Sequence, residues 1–230
     1  MADLAFADSR PEAVGEGSLP GSAVERAYLD LLRDILETGA EQHDRTGVGT
    51  RAVFGRQLRC DLSEGFPLLT TKKVFWRGVA EELLWFVAGH TNAKLLSEKK
   101  IKIWDGNGSR EFLDSRGLHH REEMDLGPVY GFQWRHFGAE YKDMHADYDG
   151  QGVDQLAEMI DAIKNPPHAR RLLLAAWNPA ATKEMALPPC PLFGHVYVAN
   201  GRLPVPLSQL HCTLSPGGPF TITSYSPPQR

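Results

Sequence analysis

Val74-Phe75-Trp76-Arg77-Gly78-Val79-Ala80-Glu81-Glu82-Leu83-Leu84-Trp85-Phe86-Val87-Ala88 is apolar on every side of a helix, and a helix of that kind has to be buried in a core. Gly89 supplies its stop. Two acids sit inside the run. Glu81 can occupy a wetter face, whereas Glu82 runs directly into Leu83-Leu84-Trp85-Phe86 and is expected to lose its water, which raises a carboxyl pKa. A glutamate in that state can carry a proton near neutral pH. A carboxylate satisfied by a nearby arginine or backbone amide is the other reading of the same residue.

A core able to enclose that helix fits the chain as a whole, which has 230 residues, 42% hydrophobic and 23% charged, and reads as one sizeable domain. A net charge of -4 gives no general attraction to nucleic acid or acidic lipid, so an anion would be met by arginines clustered locally. The ligand is therefore expected to be small. Three cysteines, Cys60, Cys190 and Cys212, make an odd count without framework spacing, which points to a reducing, cytoplasmic setting. No basic flank leads into an apolar run at the N-terminus, and no segment has the length of a membrane span.

Outward from the buried run, residues 1–21 mix Pro, Gly, Glu, Ser and Ala without periodicity and read as a disordered tail. Ser22, with Glu25 three residues on, caps a helix whose apolar residues Val24, Tyr28, Leu31, Leu32 and Ile35 recur at helical spacing, with Gly39 as its end. Residues 51–62 alternate, with Ala52, Phe54, Leu58, Cys60 and Leu62 on one side, and predict a half-buried strand. Between them His43-Asp44-Arg45-Thr46-Gly47-Val48-Gly49-Thr50 is either a phosphate loop, with Arg45 offering planar donors to an oxyanion, or a plain connecting turn. Asp154 caps a helix expected to turn Leu156, Ile160 and Ile163 inward and to end at Pro166-Pro167. Arg171 then opens a short apolar strand.

Ala186-Leu187-Pro188-Pro189-Cys190 places a cysteine behind two residues that fix the backbone, just downstream of Arg170-Arg171. Nearby cations would favour the thiolate and lower the thiol pKa. A small buried hydrophobe is the alternative.

Arg45-Thr46-Gly47, Phe66-Pro67-Leu68-Leu69-Thr70-Thr71-Lys72-Lys73, Glu82-Leu83-Leu84-Trp85, Ile103-Trp104-Asp105, Leu126-Gly127-Pro128-Val129-Tyr130-Gly131, Arg170-Arg171 and Leu187-Pro188-Pro189-Cys190 follow one another in an order that resembles thymidylate synthase. The resemblance implies an α+β fold with a large mixed β-sheet flanked by helices, working as a homodimer whose sheets pack back to back. It implies the reductive methylation of deoxyuridylate to thymidylate, with 5,10-methylenetetrahydrofolate giving both the one-carbon unit and the hydride. In that chemistry Cys190 matches the nucleophile, and Glu82 and Tyr130 match the positions that serve the water network and proton transfer. Arg45 resembles the phosphate-binding arginine, Arg170 and Arg171 the pair that crosses to the partner's nucleotide, and Gln209 a further substrate residue. Trp104 and Asn107 resemble folate-side residues, with Trp104 offering an aromatic face.

Departures begin after the nucleophile. Pro191 stands where the family usually has histidine, and Leu210, His211 and Thr213 follow Gln209 where the family has Arg, Ser and then Asp. Asn200-Gly201 signals a hairpin, but Pro204 and Pro206 in its second arm suit only an exposed edge. Thr221 takes the place of an asparagine that reads the base, and Pro227-Pro228 forbid the family's next helix from starting normally. These changes keep a second expectation open, an impaired family member that serves as a dimer partner or nucleotide-binding protein. His119-His120 with Glu122 and Glu123 read as a solvated stretch rather than a metal site, and no metal is expected. His136 and His145 read as structural histidines.

Overall fold

The computed structural model describes residues 22–43, 47, 49–164, 171–198, 202–214 and 217–226. The expected tail lies outside them, as do Arg45, Pro166-Pro167, Arg170, Asn200-Gly201 and Pro227-Pro228. The chain divides into two compact units, Met1–Cys60 and Asp61–Arg230.

In the first unit, helix α1 spans Ala23–Thr38. Its start is fixed as the capping pattern predicts: the Ser22 hydroxyl accepts a hydrogen bond from the Glu25 N–H at 3.2 Å. Val24 and Tyr28 form its buried face. Strands β1 (Ala40–Gln42) and β2 (Thr50–Ala52) pair antiparallel, and Gly47 and Gly49 take positive φ in the connection between them. The strand expected over residues 51–62 does not form beyond Ala52, and Phe54 is 98% exposed rather than inward. Gly55 adopts φ +70, which breaks the extended run, and among the described residues β2 has only the three residues of β1 as a partner.

The second unit is built around helix α2 (Trp76–Val87), which Gly89 ends with φ +75. Its buried side carries Gly78, Val79, Glu82, Trp85 and Phe86, while Leu84 is 63% exposed. The helix is thus buried on one side and not all round, because the elements packed on it cover only one flank. Short helices α3 (Lys94–Glu98), α4 (Asp105–Gly108) and α5 (Arg110–Ser115) lead to α6 (Tyr130–His136), which packs against α2. Trp85, Phe86, Trp104, Leu126, Tyr130 and Trp134 form the centre of the core.

Helix α7 (Gln155–Lys164) is capped by Asp154, whose carboxylate accepts from the Ala157 N–H at 2.9 Å. None of its residues is fully buried, and Ile160, expected inward, is exposed. The junction is polar instead: the Gln155 amide donates to the Gln133 and Ala175 carbonyls and accepts from the Ala175 N–H. That amide does what an apolar contact was expected to do.

Strands β3 (Leu172–Ala175), β4 (Pro191–Val196) and β5 (Leu207–Gln209) form an antiparallel sheet in that order, with Leu172 opposite Val196 and Gly194 opposite Leu207. Pro191 has no N–H, and the register with β5 is irregular between Pro191 and Phe193. Pro204 and Pro206 contribute only carbonyls, which accept from Tyr197 and His195, so the arm carrying them lies at the sheet edge as expected. Helix α8 (Gly217–Ser224) forms upstream of the terminal prolines and packs on α2. The architecture is α+β. The larger of its two sheets among the described residues has three strands, all antiparallel, where the resemblance implies a larger mixed one. No helix among the described residues is long and apolar enough to cross a membrane.

Candidate active site

Cys190 follows Pro188-Pro189 immediately before β4, and two contacts fix it. Its backbone N–H donates to the Tyr130 hydroxyl at 3.2 Å, and its carbonyl accepts from the Leu210 N–H at 3.0 Å. Cys190 is therefore tied to α6 on one side and to the β5 arm on the other. Its Sγ lies 3.6 Å from Nε2 of His211.

Tyr130 opens α6 and is held by aromatic contacts. Its ring stacks on Phe86 at 4.8 Å and meets Trp104 edge-on at 6.1 Å. Burial pushes its phenol well above the ordinary tyrosine range, so it is neutral at physiological pH and works as a hydrogen-bonding group rather than as a proton acceptor.

Behind this pair Glu82 points from the buried side of α2, and Trp104 Nε1 donates to its carboxylate at 2.7 Å. Desolvation pushes the Glu82 carboxyl up to about 7, with the indole N–H pulling the other way. The sequence expectation of a desolvated glutamate is met by this geometry. Its neighbour Glu81 is paired instead with Lys99 at 2.7 Å on the outer side of the helix.

Two expectations about the site are corrected. Partial burial of Sγ by itself pushes the Cys190 thiol up, where neighbouring arginines were expected to push it down. Trp104 is only 7% exposed, with its ring against Trp85 and Tyr130, so most of the aromatic face expected for a cofactor is committed to the core. What the indole does in the structure is hold Glu82.

The remaining candidates are scattered. Asn107 is half-buried in α4. Arg171 is exposed at the start of β3, beside an open groove of about 370 Å³ bordered by Gln155, Glu158 and Leu173. Gln209 sits in β5 and donates to the His211 carbonyl at 2.8 Å. Thr221 is carried on α8, where its carbonyl accepts from the Tyr225 N–H. Arg45 and Arg170 lie outside the described residues. His145 pairs with Glu122, and His119 with Asp114, so those acids and histidines are tied to separate partners. The His136 ring packs against Phe132 and Tyr148.

His211 is the site residue that sequence reasoning passed over as a mere departure. A signal was present. Counting equal steps outward from a turn at Asn200-Gly201 brings the chain from Cys190 to the neighbourhood of His211 on the opposite arm.

Residues 26–227 match the family described as thymidylate synthase. The match therefore extends through Pro191 and the altered arm. Over 202 residues, 88% of this chain, the sequence is 61% identical to a Zea mays protein named bifunctional dihydrofolate reductase-thymidylate synthase, and covers 39% of it. It is 57% identical over 202 residues to the protein of that name from Paramecium tetraurelia, covering 44% of it. With the Leishmania major protein of the same name the identity is 54% over 234 residues, taking in 97% of this chain and 45% of that protein. The chain spans less than half the length of these relatives.

Proposed function

This chain belongs to the thymidylate synthase family, and we propose that it converts deoxyuridylate to thymidylate with 5,10-methylenetetrahydrofolate as co-substrate. The observation that carries the proposal is the connection of four residues distant in sequence: the Cys190 backbone rests on the Tyr130 hydroxyl, whose ring meets the Trp104 indole that holds Glu82.

In this reaction the Cys190 thiolate adds to carbon 6 of the pyrimidine. The electron pair of the carbon 5–carbon 6 double bond moves towards the carbonyl at carbon 4, leaving carbon 5 nucleophilic. Bound methylenetetrahydrofolate supplies the one-carbon unit and the hydride. Tyr130 fixes where the sulfur stands by holding the Cys190 N–H, so the thiolate meets the ring from one direction. Glu82, held at about 7, can accept a proton and return it in one cycle without a large free-energy difference between its two states. When the carbon–sulfur bond breaks, the thiolate is restored. Resemblance supports phosphate contacts from Arg170 and Arg171, and a folate contact from Asn107.

A homodimer is part of the proposal. The sheet turns Leu173, Phe193 and Tyr197 to one exposed face, which supports packing against a second copy. A cytoplasmic setting is supported by three cysteines that form no disulfide.

Dihydrofolate formation from deoxyuridylate and methylenetetrahydrofolate tests the reaction. Turnover is expected in the unaltered chain and not in Cys190→Ala. Equal rates in the two proteins, or none in either, would overturn the assignment. Incubation with 5-fluorodeoxyuridylate and the folate should in addition leave a covalent complex on Cys190.

A further inference from the structure

The contact between Cys190 and His211 is not accounted for by the proposed reaction. Sγ of Cys190 and Nε2 of His211 are 3.6 Å apart, within reach of a sulfur–nitrogen hydrogen bond. The contact is built by the backbone. The Leu210 N–H donates to the Cys190 carbonyl, Gln209 stands opposite Pro191, and the Gln209 side chain donates to the His211 carbonyl. The arm is thereby held in register with the next residue beside the sulfur. From the other side, the Tyr130 hydroxyl holds the Cys190 N–H.

We propose that His211 is the proton acceptor that generates the Cys190 thiolate. The proposal rests on Cys190 being the nucleophile but concerns only its proton. The S–H bond breaks with its electron pair left on sulfur, and the proton passes to Nε2 of an imidazole already protonated on Nδ1. A neutral thiol and a neutral imidazole become a thiolate and an imidazolium in contact. No net charge enters the site, and no other reactant is needed.

The physical case is one of burial against pairing. Partial burial raises the cost of an isolated thiolate. An imidazolium formed in contact with the sulfur offsets that cost, as cationic partners do for reactive cysteines elsewhere. The other titratable groups about the pair do not supply a cation. Tyr130 on α6 faces the Cys190 backbone, Glu82 on α2 and Tyr225 beyond α8 face Tyr130, and Cys212 adjoins His211 and senses the charge on Cys190. These groups are acids, neutral or negative, so none of them supplies a positive charge to the thiolate. His211 is the one base in contact with the sulfur among the described residues.

The test is the pH dependence of Cys190 alkylation by iodoacetamide in a protein carrying Cys60→Ser and Cys212→Ser, with and without His211→Gln. Loss of the imidazole is expected to slow alkylation at least tenfold at about pH 6.5, with the two rates converging at about pH 10, where the thiol ionises unaided. Superimposable profiles would overturn the proposal, and so would a loss of equal size at every pH, which would mean altered access rather than proton transfer. Thiolate absorbance near about 240 nm, followed in the His211-containing protein, gives a second readout should the variant fail to fold. Absorbance persisting to about pH 5 is expected, whereas a single rise centred above about pH 8.5 would overturn the proposal. Fluorodeoxyuridylate trapping separates the two ideas: a shifted alkylation profile without trapping removes the proposed function and leaves the proton transfer standing.

Discussion

Burial moves the Glu82 carboxyl from an ordinary value of 4.5 to about 7, and at that residue folding and protonation are linked. Below pH 4.5 the group is protonated in both states. Between 4.5 and about 7 the unfolded chain releases the proton while the folded chain keeps it, so the folded state loses ground as pH rises, by on the order of 3 kcal/mol in all. Glu82→Gln should remove that dependence: denaturant unfolding across the window should show a falling stability in the parent and a flatter one in the variant. The same change should slow turnover by about a hundredfold or more, the scale of a lost proton-transfer group. Trp104→Phe acts in the opposite sense on the same carboxyl. It removes the N–H that favours the charged form, so the Glu82 pKa rises further and the acid limb of the rate profile moves to higher pH. A limb that stays in place in Trp104→Phe would show that another group controls it. Glu82 was legible in the sequence because the run Leu83-Leu84-Trp85-Phe86 that follows it announces desolvation. Its partner was not, since the separation of 22 positions between Glu82 and Trp104 holds no local pattern that brings an indole N–H to a carboxylate. The Cys190 thiol is less legible for a related reason: arginines close in sequence do not fix the burial of sulfur, which by itself raises the thiol.

At the scale of elements, the site depends on how closely α6 crosses α2. A Cβ at Gly131 would lie 2.8 Å from the Phe86 carbonyl oxygen and 3.2 Å from that of His90, and both obstacles are rigid backbone. Gly131→Ala should therefore push α6 away and carry the adjacent Tyr130 hydroxyl off the Cys190 N–H. A loss of about 1–3 kcal/mol in unfolding free energy is expected, the usual cost of overpacking. Turnover should fall as well, since the displaced residue holds the nucleophile. Unchanged stability by thermal denaturation would mean that the helices have room to separate. Helices with strong local signals were read closely: Ser22 and Asp154 both cap where the sequence places them. Alternation alone was a poorer guide. Residues 51–62 have the period of a strand, yet a strand needs a partner, and beyond Ala52 none pairs with it among the described residues. Likewise the apolar face assigned to α7 ignored Gln155, whose amide can satisfy three backbone groups where Ile160 satisfies none.

For the whole molecule, the sheet separates two environments. Leu172 and Val196 face each other in the buried layer, while Leu173, Phe193 and Tyr197 lie on the outer face at 49%, 38% and 55% exposure. These three large side chains surround His195, the direct cross-strand partner of Leu173, and the sheet face offers them in a fixed array. A second copy presenting the same face would bury all of them twice over, in the self-complementary manner of a two-fold interface. Leu173→Glu with Phe193→Glu should thus give a monomer in sedimentation velocity where the parent sediments as a dimer. The side chains replaced point away from the core, so the far-ultraviolet circular dichroism of the monomer should remain that of the folded chain. The proposed crossing of arginines between protomers makes a further demand, because Arg171 stands next to this face at the start of β3. If it completes the partner's nucleotide site, the monomer should bind deoxyuridylate at least tenfold more weakly, the cost of one lost charge-assisted phosphate contact. Equal nucleotide affinity in monomer and dimer, measured by calorimetry, would confine Arg171 to its own protomer.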